Sequence, residues 1–358
     1  MIKIKLYVYY KLIIGLFKVL LKKFLFSLSI LSLPILLTAC GNETTRVSRM
    51  LLGTEVRITI ADSRENVAEL FEIGFREVEK IQKSFNPNNA ESEIFKINDN
   101  AVSRPFRCSE EVYSLIKRSI EISEITGGAF DITWASAGKI WNFSEDDFSP
   151  PDDKIIKSLL PLISYKNIVL DDKRKTIRIL ADGTKIGLGG VAKGYAVEKT
   201  VSELRKTGIR GAIVACAGDI QVIGSNYGRS WKGGIKDPRG NSVIATFFMK
   251  DGESVSTSGD YERFRIVNGR RFHHIINPST GYPADSGLIS VTVFSNEPVL
   301  SDAYSTAFFV AGLDKTKNML SSMEGISAVL VDADMKVYAS ALLENRLKFR
   351  DDLRVVFF

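Results

Sequence analysis

The chain has 358 residues, 45% of them hydrophobic, 25% charged and 10% aromatic, with 27 Gly and 10 Pro. These are globular proportions, and they exclude disorder, a collagen-like repeat and a disulfide scaffold. The formal charge of +6 belongs to the leader: residues 1–39 carry six lysines and no acid, which leaves the remainder formally neutral and gives no sign of a nucleic-acid partner.

Lysines run up to Lys23, an uncharged apolar stretch fills 24–37, and Leu37-Thr38-Ala39-Cys40-Gly41 follows. Length and flanks fit an export signal. Small residues directly before a cysteine match the lipoprotein pattern, in which Cys40 is acylated and becomes the new N-terminus; a plain anchor helix with an incidental cysteine is the alternative. Each buried CH₂ contributes about 0.8 kcal/mol, so several acyl chains would hold the chain to a membrane face outside the cytoplasm. The organisation read from sequence is a signal peptide over 1–39, the lipidated Cys40 and a short tether over 40–49, and one domain over 50–358. Cys108 and Cys216 then remain, either as buried thiols or as a disulfide.

In chain order, 53–61 alternates like a strand, and the apolar residues Leu70, Phe71, Phe75, Val78, Ile81 and Phe85 follow a helical period that Asn86-Pro87 stops. A second helix runs from a Ser109 cap to Gly127-Gly128. After a polar loop over 144–153 come strands at 167–170 and 176–180, then a glycine-rich turn and a helix over 191–206. Strands over 212–216, 220–223 and 289–294, a helix over 301–311 and a strand-rich tail complete the chain. The expectation is α+β: a single compact, two-lobed domain with mixed sheets and flanking helices.

Four stretches could carry chemistry. The turn Ile186-Gly187-Leu188-Gly189-Gly190-Val191-Ala192-Lys193 between strand and helix suits phosphate oxygens, or is only a tight turn with a surface lysine. Asp302 and Thr306 lie four apart on a helix, a hard-oxygen pair suited to Mg²⁺, or a helix cap with a packed threonine. His273 and His274 are adjacent, so in a strand only one enters a given cleft. The surrounding hydroxyl-rich residues, Ser258 among them, suit a polyanionic or heterocyclic ligand. Thr126-Gly127-Gly128-Ala129-Phe130-Asp131 adds a glycine turn with an aromatic and a carboxylate.

Together, LLGTEVRITI, SEIFKIN, TGGAFDITW, GLGGVAKGYAVE, AGDIQVIG, STSGDYERF, HHIINPSTGYP and SDAYSTAFFVAG resemble, in this order, the motifs of the ApbE family, the FAD:protein FMN transferases. The resemblance spans about residues 50 to 312. It implies a T-fold-related domain, FAD as substrate, and flavoprotein subunits carrying a target threonine as acceptors. It assigns FAD contacts to Ala129, Phe130, Asp131, Lys193, Ser258 and Ile276, the last through its backbone. It assigns Mg²⁺ to the Asp302 and Thr306 side chains and the Gly190 carbonyl, with His274 at the flavin pocket.

The sequence departs from the family pattern at four flavin-facing or turn positions. Leu52 stands where many members have Met, Gly187 where an Asp opens the turn, Ala217 where a Gly precedes Gly-Asp, and Asn86 where a Tyr follows the first helix. An alanine at 217 implies less backbone freedom there. Loss of the acid and the ring makes FAD hydrolysis to FMN and AMP an alternative activity, and a non-catalytic FAD-binding lipoprotein is the alternative from outside the enzymes. The chemistry implied is attack of a threonine hydroxyl on the FMN-side phosphorus with AMP leaving, Asp302 holding the metal and His274 acting as base with a pKa near ~6.5.

Overall fold

The computed structural model describes residues 43–64, 66–143 and 148–358; the expected signal peptide, Cys40 and part of the polar loop lie outside them. No described helix is long and apolar enough to cross a membrane. From Thr44 on, the chain clusters as one compact unit.

The main sheet is filled in strict chain order. Its nine strands are β1 Thr45–Leu51, β2 Thr54–Ile60, β3 Gly211–Cys216, β4 Asp219–Gly224, β5 Ser254–Gly259, β6 Leu288–Ser295, β7 Ser327–Asp332, β8 Val337–Ala339 and β9 Val355–Phe357. All neighbours pair antiparallel except β8 with β9. Two tight turns, Leu52-Gly53 after β1 and Ala217-Gly218 after β3, put both hairpin tips at one end of the sheet. The helices are α1 Val67–Phe85, α2 Glu93–Asn100, α3 Glu110–Ile125, α4 Asp153–Leu159, α5 Ala192–Lys206, α6 Pro298–Ala311 and α7 Leu313–Leu320.

Both faces of the sheet are covered. On one, Ile58, Val214, Val291 and Leu330 pack against Phe75, Val197 and Phe308 from the helices. On the other, Ile289, Phe294, Val329 and Val331 pack against Trp231, Ile235 and Phe247 from a second sheet of Leu347–Phe349, Val243–Met249 and Trp231–Lys236. Burial on two sides explains why β6 has every residue buried and reads as an apolar run rather than an alternation. The α+β expectation, with mixed sheets and flanking helices, holds.

Three boundaries differ. The tether assigned up to Arg49 ends earlier: from Thr45 the chain is β1, paired with β2 along its whole length. Its polar, mostly exposed residues suit an edge strand and hide it from an apolar pattern. The helix expected from Ser301 begins at Pro298, because proline is tolerated in the first turn, where its missing N–H has no partner to lose. Cys108 and Cys216 are free, buried thiols, which removes the disulfide alternative.

Candidate active site

The glycine-rich turn is held from two sides. Asn98 of α2 treats Ile186 as a strand partner: its Oδ1 accepts from the Ile186 amide at 2.7 Å and its Nδ2 donates to the Ile186 carbonyl at 2.8 Å. The Gly187 amide donates to Ile132 O at 2.9 Å. A Cβ at Gly187 would stand 2.7 Å from Ala135 Cβ, so this close crossing leaves no room for the family's aspartate. Phe130 lies beneath Gly190, and partly buried Ala129 precedes it. Asp131 spends both carboxylate oxygens inside the fold: Oδ1 accepts from the Thr133 amide and hydroxyl at 2.8 and 2.6 Å, and Oδ2 from the Tyr165 amide at 2.7 Å. Its carboxylate therefore braces the segment that carries Phe130.

Where α5 starts, Lys193 reaches two buried acids. Its Nζ lies 2.7 Å from Asp219 Oδ2 and 3.1 Å from Asp302 Oδ1, and both carboxylates are only 4% exposed. The Gly194 amide donates to Asp302 Oδ2 at 2.9 Å. Burial works against the Lys193 charge, yet Asp219 and Asp302 outweigh it and keep the amine protonated. Burial, then the Asp219 charge, pushes Asp302 upward, and Lys193 opposes them. Burial and the Asp219 charge thus favour the neutral form of Asp302, and a further cation beside it would favour the carboxylate. Cys216 beside them is inert, its thiol pushed up to about 12 by burial.

Asp302 is not a cap. The α6 cap position is Glu297, and Asp302 lies in the second turn with Thr306 one turn further on the same face. Serine hydroxyls zip α6 to β5: Ser254 and Ser256 meet Ser301 at 3.0 and 2.9 Å, and Ser258 meets Ser305 at 2.8 Å and Thr306 Oγ1 at 3.2 Å. Ser258 thus orients Thr306, which is half-buried among buried neighbours. Among the described residues no three His, Cys, Asp or Glu side chains form a metal-holding group. A carboxylate, a hydroxyl and a carbonyl are nonetheless a donor set that Mg²⁺ accepts when waters and phosphates complete its shell.

The hairpin tips supply the rim. Leu52 and Gly53 turn with φ of 53° and 70°, the Leu52 amide donates to Gln82 Oε1 at 2.6 Å, and Arg263 donates to Gly53 O at 3.3 Å. Arg263 also anchors His274, whose amide and Nδ1 lie 3.0 and 3.3 Å from the Arg263 carbonyl. Burial first, then the charges of Arg263, His273 and Lys193, lower His274 to about 4, so the expected value near 6.5 is corrected downward. His273 faces the other way, buried, with Nε2 3.0 Å from Ala284 O and its ring edge-on to Phe309.

Other assignments separate. Ile276 buries its side chain beside Trp141 and Phe272, while the ladder bonds flanking its bridge to Pro283 belong to its neighbours, so its own amide and carbonyl point away. Asn86 is exposed and its Oδ1 accepts from the Asn88 amide at 2.9 Å, a bond within its own loop. Ala217 corrects the backbone expectation: its φ of 53° is left-handed, so this turn does demand glycine-like freedom.

A model of the ApbE family matches residues 52–330. The chain belongs to the ApbE family. It is similar to the FAD:protein FMN transferase of Treponema pallidum, 30% identical over 322 residues that span 85% of this chain and 89% of that protein. A Klebsiella pneumoniae protein of the same name is 28% identical over 309 residues, 86% of this chain and 95% of that one. The crystal structure of the ApbE protein from Thermotoga maritima superposes with a TM-score of 0.78 at 35% identity, covering 85% and 99% of the two chains. Against this ApbE framework, sequence reasoning assigned roles to Lys193, Asp302 and Thr306, while Asp219, Asn98, Gly194 and Arg263 lay inside the motifs without an assigned role. The signal for Asp219 was its place directly after a tight turn; the others act through contacts that only the fold creates.

Proposed function

We propose that this ApbE-family chain transfers FMN from FAD to a threonine hydroxyl of an acceptor flavoprotein and releases AMP, with Mg²⁺ bound. The observation that carries the reading is the Lys193–Asp219–Asp302 cluster at the start of α5, beside a glycine-rich turn, in a chain whose relatives bear the transferase name.

The turn amides and the Lys193 ammonium attract the diphosphate of FAD, and Phe130, Leu52 and the Ile276 backbone bound the flavin end. Mg²⁺, held by Asp302, Thr306 and the Gly190 carbonyl, would supply charge neutralisation on the two phosphates. His274 holds its Nδ1 proton toward the Arg263 carbonyl, which leaves Nε2 as the free acceptor, and its low pKa keeps it neutral at pH 7. Nε2 takes the threonine proton as the threonine oxygen bonds to the FMN-side phosphorus; the bond to the bridging oxygen breaks and AMP leaves with its electron pair. Asp260 is unsuited to that role, because Arg239 holds both its oxygens at 2.7 Å.

A Mg²⁺-dependent FAD pyrophosphatase is the second reading, favoured by exposed Asn86, which offers no ring over the flavin. Incubation with FAD and Mg²⁺, with and without an acceptor, separates the two. AMP that accumulates only with acceptor supports transfer, and AMP released equally without it supports hydrolysis. The leader supports export and acylation of Cys40, placing the domain on a membrane face outside the cytoplasm; Cys40→Ser should abolish incorporation of a labelled fatty acid, and unchanged labelling would refute the anchor.

A further inference from the structure

The end of the main sheet opposite the hairpin tips carries a surface that the transfer chemistry does not use. There the register aligns Thr45 with Ile60, Ile60 with Ala212, and Gly211 with Gly224. The second sheet reaches the same end: Tyr227 donates to Asp62 O at 3.2 Å, and Trp231, opening its strand, donates to Ile223 O at 3.0 Å. On the outer face of that sheet Phe248 is 63% exposed. Lys232 stands directly opposite it, and Lys348 stands opposite Thr246 two residues away, so all three project from one face. Lys250 follows Phe248 by two. Lys232, Lys250 and Lys348 make no ion pair among the described residues, while the nearby acids Asp251 and Glu253 are neutralised by Arg205 and Arg346.

We propose that this face, Phe248 ringed by Lys232, Lys250 and Lys348, docks the domain onto an anionic lipid surface. The proposal rests on the anchor reading of Cys40. Four residues lie between Cys40 and Thr45, five steps and at most about 18 Å of extended chain, so the bilayer is held close to this end of the sheet and not to the other. Phosphate headgroups complement the unpaired lysines, and an exposed aromatic ring suits the interfacial layer. The consequence is orientation. Strand side chains stand roughly perpendicular to their sheet, so docking this face lays the sheets along the membrane surface, with the site at the hairpin tips displaced sideways from the anchored end by the seven residues of β1, roughly 24 Å at strand rise.

The test uses the full acylated chain on vesicles of neutral phosphatidylcholine or of phosphatidylcholine with anionic phosphatidylglycerol, footprinted with an impermeant amine reagent and read by mass spectrometry. Labelling of Lys232, Lys250 and Lys348 should fall several-fold on anionic vesicles and recover at high salt, while Lys80 and Lys83 on α1 stay unchanged. The double variant Phe248→Ser, Lys232→Glu, with both positions exposed, should float equally, retain its AMP release, and lose the difference at Lys250 and Lys348. Equal labelling of the native chain on both vesicles overturns the proposal. Failure to float with neutral vesicles refutes the anchor instead, and docking is then decided by flotation with anionic vesicles: binding that the double variant loses supports it, and absence of binding refutes it.

Discussion

Gly194→Ala tests the contact on which the metal-side geometry depends. Helices α5 and α6 cross at this glycine, and an added Cβ would stand 2.4 Å from Pro298 O and 2.8 Å from Asp302 Cβ. Relaxing the first contact to an ordinary C···O separation requires the helices to part by about 1 Å. That movement stretches the 2.9 Å bond from the Gly194 amide to Asp302 past hydrogen-bonding distance. Overpacking costs about 1–3 kcal/mol, and losing a bond to a buried charged group about 1.5–3 kcal/mol. The variant should therefore unfold at markedly lower urea, and its FAD-dependent AMP release should need more Mg²⁺ because Asp302 is displaced. Gly138→Ala is the control, since a Cβ there meets nothing within 4 Å. A Gly194→Ala protein with native urea midpoint and native Mg²⁺ dependence would refute the reasoning.

Asp302→Ala should leave a folded protein, because Lys193 keeps Asp219 as partner, but should cut Mg²⁺-dependent AMP release by orders of magnitude; native turnover at saturating Mg²⁺ would contradict the assignment. His274→Ala should slow transfer by ~10²-fold while weakening FAD binding less, and His273→Ala should chiefly lower stability, with the opposite ranking refuting the base. Because His274 must be neutral to accept a proton and its pKa lies at about 4, the native transfer rate should rise with pH through about 4 and show no His274 inflection near 6.5. Both histidines are depressed by burial, so the unfolded chain binds more protons below pH ~6.5, and stability in urea should fall as pH drops toward 4. Ala217→Gly should stabilise the protein by up to about 1 kcal/mol, since it relieves a left-handed alanine; a loss of stability would show that the turn is not strained.

How far the sequence carried this picture depended on whether the signal was local. Helix α1 was legible to its last residue because its buried positions Leu70, Phe71, Phe75, Val78, Ile81 and Phe85 repeat with the helical period and Asn86 ends them. That Asp302 and Thr306 share a face of α6 follows from the helix period alone, whereas the strand ends at His273, so the separate surroundings of His273 and His274 are set by Ala284, Phe309 and the Arg263 carbonyl rather than by strand alternation. Strand β1 was illegible because an edge strand buries little, and its pairing with β2 is what defines it. Asp219 was illegible as a partner of Lys193 because the sheet order, not the sequence spacing, sets the β3–β4 turn against α5. The AFD motif assigned Asp131 to FAD, yet its carboxylate is occupied by Thr133 and Tyr165, contacts set by the fold and not by the motif.

The central claim is that this chain moves FMN onto protein. It is tested most directly by mass spectrometry of a threonine-bearing acceptor flavoprotein after incubation with the protein, FAD and Mg²⁺. The acceptor should gain the mass of one FMN on a threonine, with one AMP released for each FMN attached, all lost in Asp302→Ala. AMP release beside an acceptor of unchanged mass would contradict it.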